Sequence, residues 1–357
     1  MLFCDSELEI FFGGGSGRQK GEKCKLQSQH RVGALVELPQ VLRDLGQDAI
    51  RVISSAGIDP GVLRNPENTL SFIELGKLVQ ICVDATGCSH FGLLVGQRAA
   101  TSSLGLVGRL MRTAPTLGEA ILDLCTNQVR YIRGAVTYLT VRDGTAYWGY
   151  ATYIPGMQAV EQIADGAIAV GTNMMRELAD VSPDDVLMSR PTPQDVGAYH
   201  RCFGVTPRFL AEQHAMLFPA RLLTQPVRSA DPVLRRILQE SVAGYWAVQT
   251  PSAADQVVRI LRARAVFADA TLDSVANDLL MQPRTLNRRL QAEGTSFRDL
   301  LNRARFDVAR TLLAGTGMAV TDVALTLGYA DTSAFTHAFR RWTGMAPSQW
   351  REELEAA

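Results

Sequence analysis

The last quarter of the chain constrains the fold most, because one helix-turn-helix pattern occurs in it twice. The first copy covers residues 274–290 and the second covers residues 321–341. Each copy begins with a short apolar helix containing Val-Ala, passes through a turn and ends in a polar, arginine-ended helix. A helix presented in this way fits the major groove of DNA. Two copies therefore predict a protein that reads two adjacent groove segments.

The distribution of charge agrees with this prediction, although the net charge of the chain is zero. Residues 280–348 contain nine arginines and five acidic residues, a balance of 9 − 5 = +4. An arginine side chain can form a bidentate fork with guanine or phosphate. A solvated helical surface would show the same bias, so charge alone leaves both interpretations open.

In the first unit, Thr271 is the expected N-cap and Pro283 suits the first turn of the second helix, where its missing N–H costs nothing. Leu286 and Leu290 are expected to pack inward. The polar residues left on the outer face are the predicted DNA contacts, with an ordinary polar surface as the alternative. They are Arg284, Thr285, Asn287, Arg288 and Gln291.

In the second unit, Gly328 supplies the turn, Asp331 caps the second helix, and Phe335 and Phe339 pack inward. The outward residues are Thr332, Ser333, Thr336, His337 and Arg340. For His337, a solvated histidine is the alternative. A helix predicted over residues 296–313 joins the units and spans roughly 27 Å, close to the roughly 34 Å between successive major grooves.

Residues 286–297 and 328–347 resemble the AraC/XylS family of bacterial transcription regulators. The resemblance covers about residues 255–352 and includes both units, the joining helix and the Phe-Arg-Arg-Trp-Thr-Gly-x-x-Pro ending. It implies a cytoplasmic regulator, more often an activator, with double-stranded promoter DNA and RNA polymerase as partners.

One departure is the first turn, where Leu280, Met281 and Gln282 replace the family's usual glycine and serine-like cap. Leucine is costly at positive φ, so we expect a distorted turn.

Residues 33–225 predict an α+β domain with a small, mostly antiparallel sheet. Asp143-Gly144 is a type I′ hairpin signal between two alternating segments. Residues 56–60, 104–108, 114–120, 203–209 and 215–223 carry a second resemblance, which spans roughly residues 37–225. They resemble the arabinose-binding-like effector domain of the ornithine/arginine-utilisation and mycobacterial virulence-regulator branch of the family. That resemblance implies small-molecule sensing, homodimerisation or both, but it does not make arabinose the ligand.

Aromatic residues cluster around the hairpin, and cross-strand packing is the plainest explanation for them. The alternative is that some line an effector pocket. The candidate effector-binding residues are Tyr147, Trp148, Tyr150 and, on the following helix, Gln162.

Taken over its whole length, the sequence predicts four segments and no catalytic site. Residues 1–32 are expected to be a disordered tail, 33–225 the effector domain, 226–253 a connector helix and linker, and 254–353 an all-α domain with the two helix-turn-helix units. His200 and Cys202 stand two residues apart on a predicted helix and cannot face each other. No metal or cofactor motif is found, and no apolar run of about 18 residues that could span a membrane. The competing hypothesis is a metabolite-binding module or enzyme whose helical C-terminal domain binds protein.

Overall fold

The computed structural model describes residues 29–131, 135–152, 154, 156–247, 252–264, 270–279 and 281–355. The N-terminal part packs helices against a five-stranded sheet, and the C-terminal part is helical. The predicted fold class, an α+β domain followed by an all-α domain, is therefore confirmed. No helix in these ranges is long and apolar enough to cross a membrane.

The first eight helices of the N-terminal part surround a core that includes Leu38, Phe72, Phe91 and Trp148. The ninth packs against the fifth through Leu238 and Val242. The bounds of these helices are α1 (Leu38–Asp44), α2 (Ala49–Ser55), α3 (Phe72–Thr86), α4 (Phe91–Gly96), α5 (Gly105–Arg112), α6 (Leu117–Tyr131), α7 (Val160–Ala179), α8 (Val196–Phe203) and α9 (Pro232–Ala247).

The strands form two sheets. They are β1 (Gln29–Arg31), β2 (Thr69–Ser71), β3 (Ala135–Arg142), β4 (Thr145–Thr152), β5 (Asp185–Met188), β6 (Arg208–Phe209) and β7 (His214–Pro219). The main sheet has the order β3-β4-β7-β5-β6, and each neighbouring pair except the parallel β5–β6 is antiparallel. The β1–β2 pair is antiparallel and separate from the main sheet.

The small β1–β2 sheet corrects the predicted tail of residues 1–32. Residues 29–31 pair with residues 69–71, and Val32 is fully buried. The ordered domain therefore begins before residue 33, because a strand some forty residues further along the chain supplies hydrogen bonds that local sequence does not reveal. Residues 1–28 lie outside the described residues.

The hairpin between β3 and β4 turns at Asp143 and Gly144, where the sequence predicts it. Both residues have positive φ, 47° and 74°. These angles match a type I′ turn, whose twist suits the flanking strands. The hairpin places all eight residues of β3 opposite β4.

Both faces of the β3–β4 ladder are covered by protein. Side chains alternate along a strand, so Trp148 and Tyr150 point to one face and pack in the N-terminal core. Val136, Tyr138 and Ala151 point to the other face and belong to the apolar core of the C-terminal part. The ladder is therefore a wall shared by the two parts of the molecule.

The C-terminal part is built from α10 (Ala253–Arg264), α11 (Leu272–Asp278), α12 (Pro283–Ala292), α13 (Phe297–Gly315), α14 (Val320–Thr326), α15 (Thr332–Thr343) and α16 (Pro347–Glu355). Helix α13 carries the buried stripe Leu300, Ala304, Val308 and Leu312. Its 19 residues correspond to a length of roughly 28 Å. It joins the two helix-turn-helix units, as the sequence predicts.

The end of α13 lies directly against the sheet of the N-terminal part. A Cβ atom placed on Gly315 would stand 2.6 Å from the Thr152 carbonyl oxygen, so this approach requires glycine. Two residues later, the Gly317 amide donates to the Glu212 carbonyl at 2.6 Å. An ion pair between Arg142 of β3 and Asp322 of α14 adds a charged contact.

Candidate nucleic-acid interface and ligand cavity

The two helix-turn-helix units close their turns with equivalent hydrogen bonds. In the first, the Met281 amide donates to the Ala276 carbonyl at 2.9 Å. In the second, the Tyr329 amide donates to the Ala324 carbonyl at 3.0 Å, and Gly328 has a φ of 73°. The turn bond is thus retained in the first unit, whereas Leu280, where the sequence predicts distortion, lies outside the described residues.

The helix starts differ between the units. Thr271 caps α11 and shares a reciprocal capping box with Ser274. Helix α15 begins with Asp331, whose carboxylate accepts from the Ala334 amide at 2.7 Å. Helix α12 begins with Pro283 in its first turn and has no side-chain cap from Gln282. The predicted roles of Thr271, Asp331 and Pro283 are confirmed.

Helix α12 buries one face and leaves a polar face in solvent. Leu286 and Leu290 are fully buried in the core of the unit. On the other side, Arg284, Arg288 and Gln291 are exposed and recur at helical spacing. The other two candidates, Thr285 and Asn287, are half-buried along the edges of this face. All five predicted residues therefore remain accessible from one side of the helix.

Helix α15 has the same division. Phe335 and Phe339 are fully buried. The outward candidates are the exposed Ser333, His337 and Arg340 and the half-buried Thr332 and Thr336. Within the described ranges, Arg284, Arg288 and Arg340 form no ion pair. Their guanidinium groups are available for phosphate or base edges.

An aromatic cluster fixes the second unit to the joining helix. Phe306 of α13 contacts Phe339 and Trp342 of α15, with ring centroids 6.0 and 5.5 Å apart. The guanidinium carbon of Arg305 lies 4.8 Å from the centre of the Tyr329 ring, a cation–π arrangement that holds the turn against α13. These contacts position α15, the second helix of the second unit, against α13.

The N-terminal part contains a cavity of about 170 Å³. It lies between the inner face of the β3–β4 ladder and the helices α3, α4 and α7, beside strand β1. Its walls are mostly aliphatic and aromatic side chains, including Leu75, Phe91, Val107 and Trp148. A concave apolar space with a few polar groups is the usual form of a small-molecule site.

Close contact between α4 and α7 shapes one wall of the cavity. A Cβ atom on Gly92 would stand 1.9 Å from the Gln162 carbonyl oxygen, and one on Gly96 would stand 2.3 Å from that of Gly166. The Gln162 side chain fastens this crossing, because its Oε1 accepts from the Gly92 amide at 2.9 Å and its Nε2 donates to the Ser89 carbonyl at 2.8 Å.

Three of the four candidate effector residues line this cavity: Trp148, Tyr150 and Gln162. Tyr147 does not, because the alternation of β4 points its side chain to the opposite face of the ladder. The prediction for Tyr147 is therefore corrected for this cavity.

Strand β1 contributes lining residues that the sequence argument missed. His30 and Arg31 border the cavity, and both fall in the segment predicted to be a tail. Burial lowers the pKa of His30 to about 4, so its imidazole is neutral at pH 7. No local periodicity marks a three-residue strand, so long-range pairing with β2 is the signal that identifies it.

The nearest buried carboxylate on α7 is turned away from the cavity. Asp165 pairs with Arg190 and accepts from the Tyr199 hydroxyl at 2.5 Å, while Arg190 Nη1 donates to that hydroxyl at 2.9 Å. Burial raises the pKa of Asp165 to about 6, and the charge of Arg190 opposes this rise. This network ties α7 to α8 and to the segment after β5.

Comparison with known proteins assigns both parts of the chain. The arabinose-binding N-terminal domain of AraC transcription regulators matches residues 46–227, and a helix-turn-helix domain matches residues 275–353. The two matches correspond to the region that holds the cavity and the region that holds the two polar helix faces.

Two transcription regulators are similar to this chain over most of their own length. The chain is 28% identical over 317 residues to the HTH-type transcriptional regulator VirS of Mycobacterium tuberculosis, covering 87% of this chain and 93% of the relative. It is 28% identical over 321 residues to the ornithine utilization regulator of Pseudomonas aeruginosa, covering 88% and 94%. The crystal structure of the transcriptional regulator CdpR from Pseudomonas aeruginosa is similar with a TM-score of 0.43 and 24% identity, covering 87% of this chain and 97% of that one.

Proposed function

This chain belongs to the AraC family of transcription regulators, and we propose that it activates transcription when a small molecule enters the cavity of its N-terminal domain. As a member of this family it is a DNA-binding regulator with an effector domain. Promoter DNA is its target, which puts its site of action in the cytoplasm and makes RNA polymerase its expected partner. A homodimer formed through the N-terminal domain is part of the proposal.

The observation that carries the proposal is the pair of accessible polar faces on α12 and α15. Arg284, Arg288 and Arg340 supply cationic forks suited to guanine or phosphate, and Asn287 can bond adenine. Helix α13, roughly 28 Å long, connects the two units that carry α12 and α15. We assign direct base contact to Arg288 and Asn287 in the first unit and to Thr336 and Arg340 in the second.

The shared wall supports a route from cavity to DNA. One face of the β3–β4 ladder lines the cavity through Trp148 and Tyr150, and the other packs against the C-terminal core through Tyr138. A ligand that shifts the ladder changes the surface on which the DNA-binding domain rests. Gly149 leaves room for the Tyr138 ring to lie against β4 on the side of the C-terminal core, because a Cβ atom there would stand 2.1 Å from that ring.

The DNA-binding proposal is tested with the full-length protein and a library of genomic fragments, at two salt concentrations. We expect a small set of fragments to be retained, with affinity falling as salt rises because phosphate contacts release counterions. The double variant Arg288→Ala/Arg340→Ala should lose the preference among fragments. Arg310→Ala is the matched control, since Arg310 is an exposed arginine on α13. Equal retention of every fragment by the wild type would contradict the proposal.

The coupling proposal is tested with Gly315→Ala. Alanine is normally favoured over glycine in a helix by about 1 kcal/mol, but here the added Cβ collides with Thr152. We expect faster amide hydrogen exchange in β3 and β4 and unchanged exchange in α12. Protection of β3 equal to that of the wild type would show that the domain contact does not depend on this approach.

A further inference from the structure

We propose that the cavity binds a compact, uncharged and largely apolar molecule that carries a single hydrogen-bonding group, such as a simple phenol. This inference rests on the proposed function, because it names the chemical class of the effector. Three properties of the cavity carry it: its volume, the position of its polar atoms, and the neutralisation of the charges around it.

The volume limits the ligand to about one ring with small substituents. The cavity encloses about 170 Å³. An apolar cavity of about 150 Å³ is known to hold benzene. A bicyclic metabolite or a long acyl chain is larger than this space.

The walls favour an apolar body. Leu75, Phe91, Val107 and Trp148 present carbon surface to the cavity, and each is almost fully buried. A molecule with many hydroxyl groups would exchange its bonds to water for contact with these side chains. Burying polar groups without hydrogen-bond partners is unfavourable, so this site selects against sugars.

One buried hydroxyl can receive a polar group of the ligand. The Tyr150 hydroxyl has no hydrogen-bond partner among the described residues. Tyr150 is only 6% exposed, and burial raises the pKa of its hydroxyl, so the group stays protonated and can donate. A hydroxyl or carbonyl on the ligand can accept from Tyr150. By contrast, Gln162 already bonds through both ends of its amide.

The one cationic side chain that lines the cavity in the described part of the chain already has a carboxylate partner. This side chain is Arg31, and its Nη2 is paired with Glu67 Oε1 at 2.7 Å. No carboxylate is among the lining residues of the described chain, and the His30 imidazole is neutral at pH 7. An amine would therefore be desolvated here without a counterion, and a carboxylate would have to displace Glu67 from Arg31, so both are unfavourable. An α,ω-diamino acid does not fit this chemistry.

The test measures binding to the full-length protein without DNA, by calorimetry and by the shift in unfolding temperature. The probes are p-cresol, toluene, benzoate, L-arabinose and L-ornithine. We expect p-cresol to bind more tightly than toluene, and the three charged or polyhydroxylated probes to give no shift. Tyr150→Phe should weaken p-cresol about three- to tenfold, the loss of one hydrogen bond, and leave toluene unchanged.

Tyr147→Phe is the matched control, because it removes the same hydroxyl from the opposite face of the same strand. It should leave the binding of p-cresol unchanged. The inference is overturned if benzoate, arabinose or ornithine binds more tightly than p-cresol, if neither neutral probe binds, or if the two tyrosine variants behave alike. The genomic-fragment experiment, carried out on the same preparation, tests DNA binding separately from ligand binding. A wrong ligand class can therefore be distinguished from a wrong regulatory function.

Discussion

The two helix-turn-helix units share the hydrogen bond that closes the turn, but they differ in what holds the second helix of each unit. In the second unit, Gly328 takes the left-handed turn position, Asp331 caps the helix, and aromatic rings pin it to α13. In the first, α12 starts at Pro283 without a side-chain cap and packs through two leucines. The second helix of the first unit therefore carries more arginines but has fewer contacts that hold it in place. The second unit has the better supported helix, and the first has the more cationic one.

The strongest challenge to this comparison is to remove the core of each unit. Phe335→Ala should lower the free energy of unfolding by about 3–5 kcal/mol, and Leu286→Ala by about 2–5 kcal/mol. We expect the larger loss for Phe335, whose ring contacts Tyr329 and Phe339 in the cluster. Denaturant titration of the full chain measures both. A larger loss for Leu286→Ala would reverse the assignment of the better supported unit.

A second test compares the reading faces directly. Arg288→Ala and Arg340→Ala should each cost about 1–3 kcal/mol of DNA affinity if each arginine contacts a guanine. The loss should be confined to targets with the native base at one position, and a panel of base-substituted sites measures this. Uniform weakening across the panel would instead identify a phosphate contact.

A third test replaces Gly328 with leucine, the residue that stands at the equivalent position, 280, in the first unit. Gly328 has a φ of 73°, and an L-residue in this conformation costs roughly 1–2 kcal/mol. Gly328→Leu should therefore lower the free energy of unfolding by that amount and weaken DNA binding through the second unit. Gly328→Asn is the comparison, because asparagine adopts the left-handed conformation more readily than other side chains. An unchanged unfolding midpoint for Gly328→Leu would show that the turn tolerates leucine.

The smallest expected effects concern the caps. Asp331→Ala should destabilise α15 by about 1 kcal/mol, because the Ala334 amide loses its acceptor. Gln282→Asp should stabilise α12 by a similar or smaller amount by supplying the missing cap. Thermal unfolding at fixed pH measures both changes. The two substitutions together should bring the helix starts of the units closer in stability. A stabilising effect of Asp331→Ala or a destabilising effect of Gln282→Asp would contradict the comparison.

Local sequence predicted the elements whose signals are local. Asp143-Gly144 predicted the hairpin, Thr271 and Asp331 predicted helix starts, and periodicity predicted the buried leucines of α12. Tyr147 was predicted to bind the effector together with Trp148 and Tyr150, but it does not line the cavity, and strand alternation could have placed it on the opposite face of β4.

Features that depend on distant pairing were not available from the sequence. Strand β1 exists because Gln29–Arg31 meets Thr69–Ser71, and the cavity exists because glycines on α4 let α7 approach. The wall shared by the two domains depends on contacts between residues such as Gly315 and Thr152, which are far apart in the chain. No pattern within a short window encodes such contacts.

The shared β3–β4 wall also limits how such regulators can be recombined. A cut within residues 226–253 separates two sequence units, but it does not separate two finished surfaces. The released effector domain would present Val136 and Tyr138 of the edge strand β3, together with Ala151 of the neighbouring β4, to solvent. An exposed apolar edge strand invites association between chains. A chimera that carries a foreign DNA reader must therefore bring a complementary apolar patch for this strand, or acquire one by substitution.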